Sequence, residues 1–584
     1  MCTVRIAVAW ASEAGGVLSP LAADGTPAGP VEHVDDLAAA VAAREGADAP
    51  RWVWAATERV YPRLLRAGVR VARCHDLELT EAILLAHEGR YGEPRSVWAA
   101  SARLSGAPVP ADVVSTGAGQ PTLFGDEEDA ADDVAVLVAV HSGQLRRIAA
   151  TEHPGRLLLL AAAESAGGLI AAEMTHDGLP WSAARHDALL TELLGPRPGP
   201  GMRPRRLQEL ADRIGKEFGG RRPVNPDSPA QLVKAFGSIG VRISSTRSHV
   251  LRQVDQPVVP LLLEYKELAR VHVAHGWAWL DSWVREGRFR PEYVVGGVVS
   301  GRWATRGGGA LQIPRVLRGA VVADPGWVLV VADAAQLEPR VLAALAGDRA
   351  FADAAAHGDL YAALADAFAG TQGAGDDGPS LRDKAKIALL SAMYGGGSGA
   401  ALSLLGVLRS RFPDAYGYVE AAARAGEAGR IVRSRLGRTC PPPSAAWRDL
   451  TAAGTDAGDG ADDGADEGAA GGGEGGEGTA ARQGSAVRSR GRFTRNFVVQ
   501  ATAAEWALAL LALLRRRLMS GHGAAHLVFF QHDEVVVHAP EEEAEHVTAA
   551  IEEAAREAGR LLFGPTPVRF PMEIAVVDCY ADAK

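Results

Sequence analysis

Cysteine is scarce in this sequence. Four cysteines in 584 residues (Cys2, Cys74, Cys440 and Cys579) are scattered without paired spacing. That excludes a disulfide framework and a thiolate zinc site, and it suits a reducing cytoplasm (nucleoid). Long apolar runs are missing too: the best stretch, Leu157 to Met174, is broken by Glu164 and Glu173, so no membrane span is expected. The first residues lack the basic, apolar and small-residue succession of a secretory leader. Positive charge is also short, with 61 Lys and Arg against 71 Asp and Glu and a formal net charge of −10. Taken whole, that disfavours a polyanionic partner. The acid, however, is concentrated. Thr451 to Gly478 holds Asp456, Asp459, Asp462, Asp463, Asp466, Glu467, Glu474 and Glu477 without a Lys or Arg. The rest is nearly balanced, and phosphate binding depends on local basic stripes, so nucleic acid is not excluded.

What is present is enough chain for several domains, with 47% hydrophobic and 23% charged residues, ordinary for a folded protein. Residues 1–190 begin with short apolar runs, Val4–Trp10 and Trp52–Ala55, followed by helix-like segments such as Glu81–His87. That reads as an α/β domain, with a Gly-, Pro- and acid-rich loop from about Gly106 to Asp133. Residues 191–290 read as mostly helical, including the stretch Val258–Trp279. Residues 291–584 alternate strands and helices. Trp327–Ala332 reads as a strand after the turn Asp324-Pro325-Gly326, Leu381–Tyr394 and Thr502–Met519 as helices, and His526–Phe530 with Val535–His538 as a β-hairpin. Residues 452–490 are too polar and Gly-rich to form a core and are expected to be disordered. No internal repeat is visible.

Three segments carry chemistry. The expected strand Trp327–Ala332 ends at Asp333, either a carboxylate positioned for a metal or a plain turn residue. The hairpin turn Gln531-His532-Asp533-Glu534 puts two acids and a histidine where Asn-Gly would be usual. It is either a solvated turn or a second metal-binding carboxylate. Two such carboxylates can bridge two hard cations roughly 3.5–4 Å apart. On the helix Leu381–Tyr394, Arg382, Lys386, Leu390 and Tyr394 recur every fourth residue and form one stripe. Arg382 and Leu390 are roughly 12 Å apart along it, about the span from a triphosphate to a base. The competing reading is an amphipathic helix with Leu390 and Tyr394 in the core. Ser380 with Asp383 resembles a capping box.

Together these segments resemble family A DNA polymerases, the group typified by bacterial DNA polymerase I. Asp333-Ala334-Ala335-Gln336-Leu337-Glu338-Pro339-Arg340 resembles the family's motif A. Arg382-x3-Lys386-x3-Leu390-x3-Tyr394-Gly395 resembles motif B, and Gln531-His532-Asp533-Glu534 resembles motif C, in the family's order. Ser300-Gly301-Arg302 with Leu311-Gln312-Ile313-Pro314, and Arg492-x3-Asn496-x3-Gln500, resemble the segments before motifs A and C. Asn225–Leu232 and Leu262–Lys266 resemble the thumb. The likeness covers about Leu169 to the C-terminus. It implies an α/β multidomain fold: a ribonuclease H-like, exonuclease-type domain, then a right hand of thumb, palm and fingers, with no 5′-nuclease domain.

The resemblance also implies roles. Asp333 and Asp533 would bind two Mg²⁺ ions with the Ala334 carbonyl and Glu534. Arg382 and Lys386 would hold the dNTP triphosphate, with Lys386 able to protonate pyrophosphate. Leu390, Tyr394, Gln336 and His532 would line the nucleotide site, and Glu338 would exclude a sugar 2′-hydroxyl. Arg302, Gln312, Arg492, Asn496 and Gln500 would contact primer–template DNA, where minor-groove acceptors are nearly the same for every pair. The implied activity is templated DNA synthesis in repair or gap filling by a monomer.

This sequence departs from the family at Ala334 and Ala335, where Tyr-Ser is usual, at Pro339 and at Leu390, which replaces a stacking aromatic. Altered nucleotide affinity or fidelity is the expectation. In the N-terminal domain, Ala56 and Val60 stand where the second exonuclease motif has Asn and Asp, and Val4–Trp10 offers no acid, so proofreading is not expected. Gln120-Pro121-Thr122-Leu123-Phe124 resembles the Gln-x-x-Leu-Phe peptide that docks on bacterial sliding clamps; Leu123 and Phe124 could equally pack on their own domain. Two other readings stay open. One is a non-catalytic primer–template scaffold. The other is a single-subunit RNA polymerase, which Glu338 disfavours.

Overall fold

The computed structural model describes residues 4–112, 133–220, 224–306, 313–356, 358–365, 380–395, 400–452, 474–521 and 523–583. The clamp-like peptide Gln120–Phe124, Gln312 and residues 453–473 lie outside them.

The N-terminal α/β unit is built on five strands: β1 (Arg5–Trp10), β2 (Gly16–Leu21), β3 (Glu32–Val34), β4 (Arg51–Trp54) and β5 (Arg73–Asp76). Their order is β3-β2-β1-β4-β5, with β1, β4 and β5 parallel and β2 and β3 antiparallel. The central strands are apolar on both faces because helices cover both, as parallel strands require. Ile6 and Val8 enter one core, Ala7 and Ala9 the other.

This unit is bolted to the rest of the molecule. Helix α1 (Pro154–Asp177) packs on β5 and on a long helix near the C-terminus, α4 (Glu474–Ser520). The α4 residue Arg515 donates to both carboxylate oxygens of Glu173 on α1, at 2.7 and 2.6 Å, and to the carbonyls of Val71 and Ala72. The bonds to Glu173 and Val71 are buried and that to Ala72 partly so, and shielding from water strengthens charge-assisted bonds. Among the described residues, two helices are long and apolar enough to cross a membrane, Pro154–Asp177 and Ala481–Ser520, but 67% and 89% of their apolar windows are buried in the protein. They are core helices.

A helical region follows, with Arg205–Glu217, Pro229–Ser238 and Val258–His275 around Leu210, Phe236 and Leu262. The expected stretch to Trp279 is interrupted at Gly276, after which Trp277–Trp283 forms a separate short helix. Beyond it stands a four-stranded antiparallel sheet: β6 (Trp327–Ala334), β7 (His526–Gln531), β8 (Glu534–Pro540) and β9 (Met572–Val577), in the order β7-β8-β6-β9. Alternate residues of β6 serve two cores. Val328, Val330 and Ala332 pack toward α4 and helix α5 (Ala544–Phe563), while Leu329 and Val331 pack toward the helical region. This period of two makes the strand apolar on both faces. The strand runs two residues past the expected end, so Asp333 lies inside the ladder, opposite Glu534.

Two short helices complete the frame, α2 (Leu337–Ala346) and α3 (Leu381–Tyr394). Pro339 falls in the first turn of α2, where no amide partner is needed. Helix α3 starts at Ser380, whose hydroxyl accepts the Asp383 amide at 3.1 Å and donates to its carboxylate at 2.7 Å, the capping-box arrangement in side-chain form. Helix α4 begins at Glu474, inside the stretch expected to be disordered. Residues there gain anchors that composition does not show: Trp447 donates to the Ala486 carbonyl at 3.2 Å, and Arg490 to that of Pro441 at 2.6 Å.

Candidate active site

The turn between β7 and β8 has only two residues, His532 and Asp533. A two-residue hairpin needs positive φ, and His532 supplies it at +59° without being glycine. Gln336, just after β6, has φ +56°. Among the described residues, two of the four non-glycine residues in this backbone region thus flank the two aspartates, the kind of strain that clusters at functional sites.

Asp333 and Asp533 come together there. The ladder pairs Asp333 with Glu534, and the Ala334 amide donates to the Asp533 carbonyl at 3.1 Å. Burial pushes the Asp533 carboxyl up to about 6, and the charge of Asp333 pushes it the same way. Glu534 is held differently from its expected role: it is buried and its Oε1 accepts the Tyr580 hydroxyl. Burial, then the Glu534 charge, raises that hydroxyl above its ordinary range.

Glu338 on α2 gathers a second group. One carboxylate oxygen accepts Arg302, and the other accepts the Tyr394 hydroxyl at 2.6 Å. Gln500 of α4 meets the same hydroxyl, which burial and Glu338 push up to about 12. His532 lies within reach of the Arg302 and Glu338 charges; burial first, then Arg302, lowers its basicity. Residues from five separate segments therefore converge beside the two aspartates.

The α3 stripe emerges as the spacing predicts. Arg382 and Lys386 are exposed, Leu390 is half-buried, and Tyr394 is 40% exposed at the end nearest Glu338. Helix α3 ends at Gly395, φ +64°; a side chain there would collide with Arg492. Arg492, Asn496 and Gln500 recur every fourth residue on α4 along this end of α3, where Arg495 donates to the Ala392 carbonyl at 3.1 Å. The Asn496 side-chain oxygen is shielded and has no hydrogen-bond partner among the described residues.

The family model for DNA polymerase family A matches residues 203–578, more than half of the chain. The chain belongs to DNA polymerase family A. It is 26% identical over 397 residues to DNA polymerase I of Chloroflexus aurantiacus, covering 62% of this chain and 38% of that protein. It is 28% identical over 343 residues to the thermostable DNA polymerase I of Thermus thermophilus, covering 57% and 37%. The match thus spans under two fifths of these relatives' length. The fold matches the POL domain of Pol1 from M. smegmatis, solved in complex with DNA primer-template and dNTP. The TM-score is 0.68 at 16% identity, over 99% of this chain and 96% of that one; at that identity the likeness concerns the fold.

Family A polymerases are divalent-metal enzymes, and the donor set fits one. No cluster of three His, Cys, Asp or Glu exists among the described residues. Two carboxylates with a backbone carbonyl suit a hard divalent cation that completes its shell with water and substrate phosphates. Burial, then the Asp333 charge, disfavours an ionised Asp533, and a divalent cation would offset both.

Sequence reading missed two residues of this family A site. Arg340 is fully buried and donates to the carbonyls of Ala335, Ala355 and Arg569 at 2.9, 2.7 and 3.0 Å, fixing the turn after Asp333. Asp359 holds Arg382 through its Nε at 2.7 Å and Gln336 through its Nε2 at 2.9 Å. Asp359 before Leu360 is legible as a helix N-cap, but its partners are 23 residues away on either side.

Proposed function

We propose that this chain is a template-directed DNA polymerase adding dNTPs to a primer 3′-hydroxyl, in repair or gap filling. The observation that carries the reading is the juxtaposition of Asp333, on β6, and Asp533, in the tight turn entering the adjoining strand β8, beside an exposed helix stripe of Arg382 and Lys386. Asp333, Asp533 and the Ala334 carbonyl would hold two Mg²⁺ ions. Bound there, the metal supplies acidification of the primer hydroxyl and charge stabilisation at the α-phosphate. Arg382 grips the triphosphate and Lys386 neutralises it, donating a proton to the departing pyrophosphate. Tyr394 and Glu338 bound the sugar pocket, and Glu338 rejects a 2′-hydroxyl by filling its space. Leu390 and His532 line the nucleotide site, and Gln336 orients its edge. Arg302, Arg492, Asn496 and Gln500, with Gln312, follow the primer–template minor groove. Glu534 supports the Asp533 turn through Tyr580.

The domain assignment belongs to the same reading: an exonuclease-type domain over 1–190, a thumb over 191–290, and palm and fingers over 291–584. The mixed sheet order β3-β2-β1-β4-β5 supports a ribonuclease H-like N-terminal unit. Its catalytic acids are missing. Ala56 and Val60 are buried apolar residues; of the acids around them, Asp76 is employed in capping, accepting the Leu79 and Thr57 amides at 2.9 and 2.6 Å, while Glu78 and Glu58 pair with Arg59 and Arg306. The domain serves as a platform without proofreading. The enzyme acts as a cytoplasmic monomer, and Gln120–Phe124 docks on a sliding clamp.

Single-nucleotide incorporation opposite each template base tests the activity. The expected result is incorporation of the complementary dNTP in each case, with rNTPs poor substrates. Preference for rNTPs would make the chain an RNA polymerase.

A further inference from the structure

A guanidinium on an exposed helix is a poor tool unless something fixes its plane. An Arg side chain has rotamer freedom that a phosphate must otherwise freeze. Arg382 is exposed, yet its Nε is already committed to Asp359 Oδ2 at 2.7 Å, and its guanidinium lies 5.6 Å from the Tyr361 ring. Its two terminal nitrogens have no hydrogen-bond partner among the described residues. A planar guanidinium held at Nε by a single carboxylate oxygen presents its terminal nitrogen pair as a fork, the geometry that pairs with a phosphate.

Asp359 is itself immobilised. Its Oδ1 accepts Gln336 Nε2 at 2.9 Å and the Ala362 amide at 3.1 Å, so neither oxygen is left to compete for the fork. Gln336 is fixed in turn. Its Oε1 accepts the Leu360 amide at 2.8 Å and Arg340 at 3.4 Å, and its backbone, φ +56°, stands three residues after Asp333. Burial alone would raise the Asp359 carboxyl. The Arg382 bond and the two Oδ1 donors more than reverse this and bring it down to about 2.

We propose that Asp359 is a positioning residue for the triphosphate. Through Gln336 it registers the Arg382 fork to the strand end that carries Asp333, so that nucleotide binding aligns with the aspartate pair. It touches no substrate. This rests on the polymerase reading of the site, in which Arg382 grips the triphosphate.

The test is a double-mutant cycle read by binding, not by catalysis. The affinity of mant-dATP is measured by fluorescence on the full chain with a dideoxy-terminated primer–template. Wild type, Asp359→Asn, Arg382→Ala and the double variant are compared. Asn keeps the helix cap and one oxygen acceptor while removing the charge, and unchanged melting temperature and duplex affinity establish that each variant is folded. The expected result is a weakening of about tenfold for Asp359→Asn in the wild-type background and no further loss in the Arg382→Ala background. Equal losses in both backgrounds, or no loss in wild type, overturn the proposal, as does a wild type that binds no mant-dATP. Templated extension by the same wild-type preparation with an extendable primer reports separately on the polymerase reading.

Discussion

The Ala334 amide donates to the Asp533 carbonyl at 3.1 Å. This backbone bond ties the end of β6 to the β7–β8 turn, so the two aspartates are fixed by the sheet rather than by flexible loops. Strand-borne groups hold a reactive geometry more tightly than loop-borne ones.

The same closeness is costly without a cation. The Asp533 carboxyl stands at about 6, raised by burial and then by Asp333. A carboxyl raised above its unfolded value keeps full stability below that value and loses it as pH rises through 6. At pH 8 without metal, Asp533→Asn therefore stabilises the fold by up to about 3 kcal/mol while lowering the extension rate at least about a thousandfold. Melting curves and extension assays on one preparation check both. A less stable variant would contradict the charge-crowding explanation.

Glu338 holds Arg302 and Tyr394 at once. Replacing it with alanine frees both partners and, on the proposed role of Glu338, opens the sugar pocket. The preference for dNTP over rNTP in kcat/KM should fall on the order of a hundredfold. A ratio unchanged in Glu338→Ala would assign sugar discrimination elsewhere.

Leu390 lies half-buried on the α3 stripe between Lys386 and Tyr394. On the proposed role of this position, a phenyl ring would give the incoming base a stacking surface, worth roughly 1–3 kcal/mol per base. Leu390→Phe should lower the KM for dNTP about tenfold. Unchanged KM in steady-state extension would remove stacking from the explanation.

His75 and His141 sit buried in the N-terminal core with ring centroids 4.5 Å apart. Burial lowers His75 to about 4; burial and then His75 lower His141 to about 2. Both are below the unfolded value, so the folded state needs neutral rings. Stability is complete above about 6.5 and falls with pH toward 4, by about 1.4 kcal/mol per pH unit for each ring. His141 has no hydrogen-bond partner among the described residues, and His141→Leu should flatten the pH dependence of melting between 6.5 and 4. An equally steep profile in that variant would place the acid sensitivity in other groups.

The local parts of this molecule were legible in the sequence. The α3 bounds, Leu381–Tyr394, follow from the cap at Ser380 and the stop at Gly395, and the four-residue stripe puts Arg382 and Lys386 on one face. The hairpin was readable because apolar runs bracket a polar turn. Its strands extend to Gln531 and from Glu534 because ladder pairing, not apolarity, sets where they end. What could not be read was long-range pairing. Asp359 reaches Arg382, Tyr580 reaches Glu534, and Arg515 reaches Glu173 across 342 residues; none leaves a periodic trace. The early start of α4 was hidden by its Gly- and Ala-rich composition, because long-range hydrogen bonds, from Trp447 to the Ala486 carbonyl and from Arg490 to that of Pro441, outweigh propensity.

Extension of a 5′-labelled primer–template with dNTPs and Mg²⁺, wild type beside Asp533→Ala and beside a lane without dNTPs, bears on the whole assignment. Templated extension by wild type, its loss in the variant, and no primer shortening without dNTPs are the predicted result. A folded wild type that binds the duplex but extends nothing would contradict it and leave a primer–template scaffold; shortening of the primer would contradict the absence of proofreading.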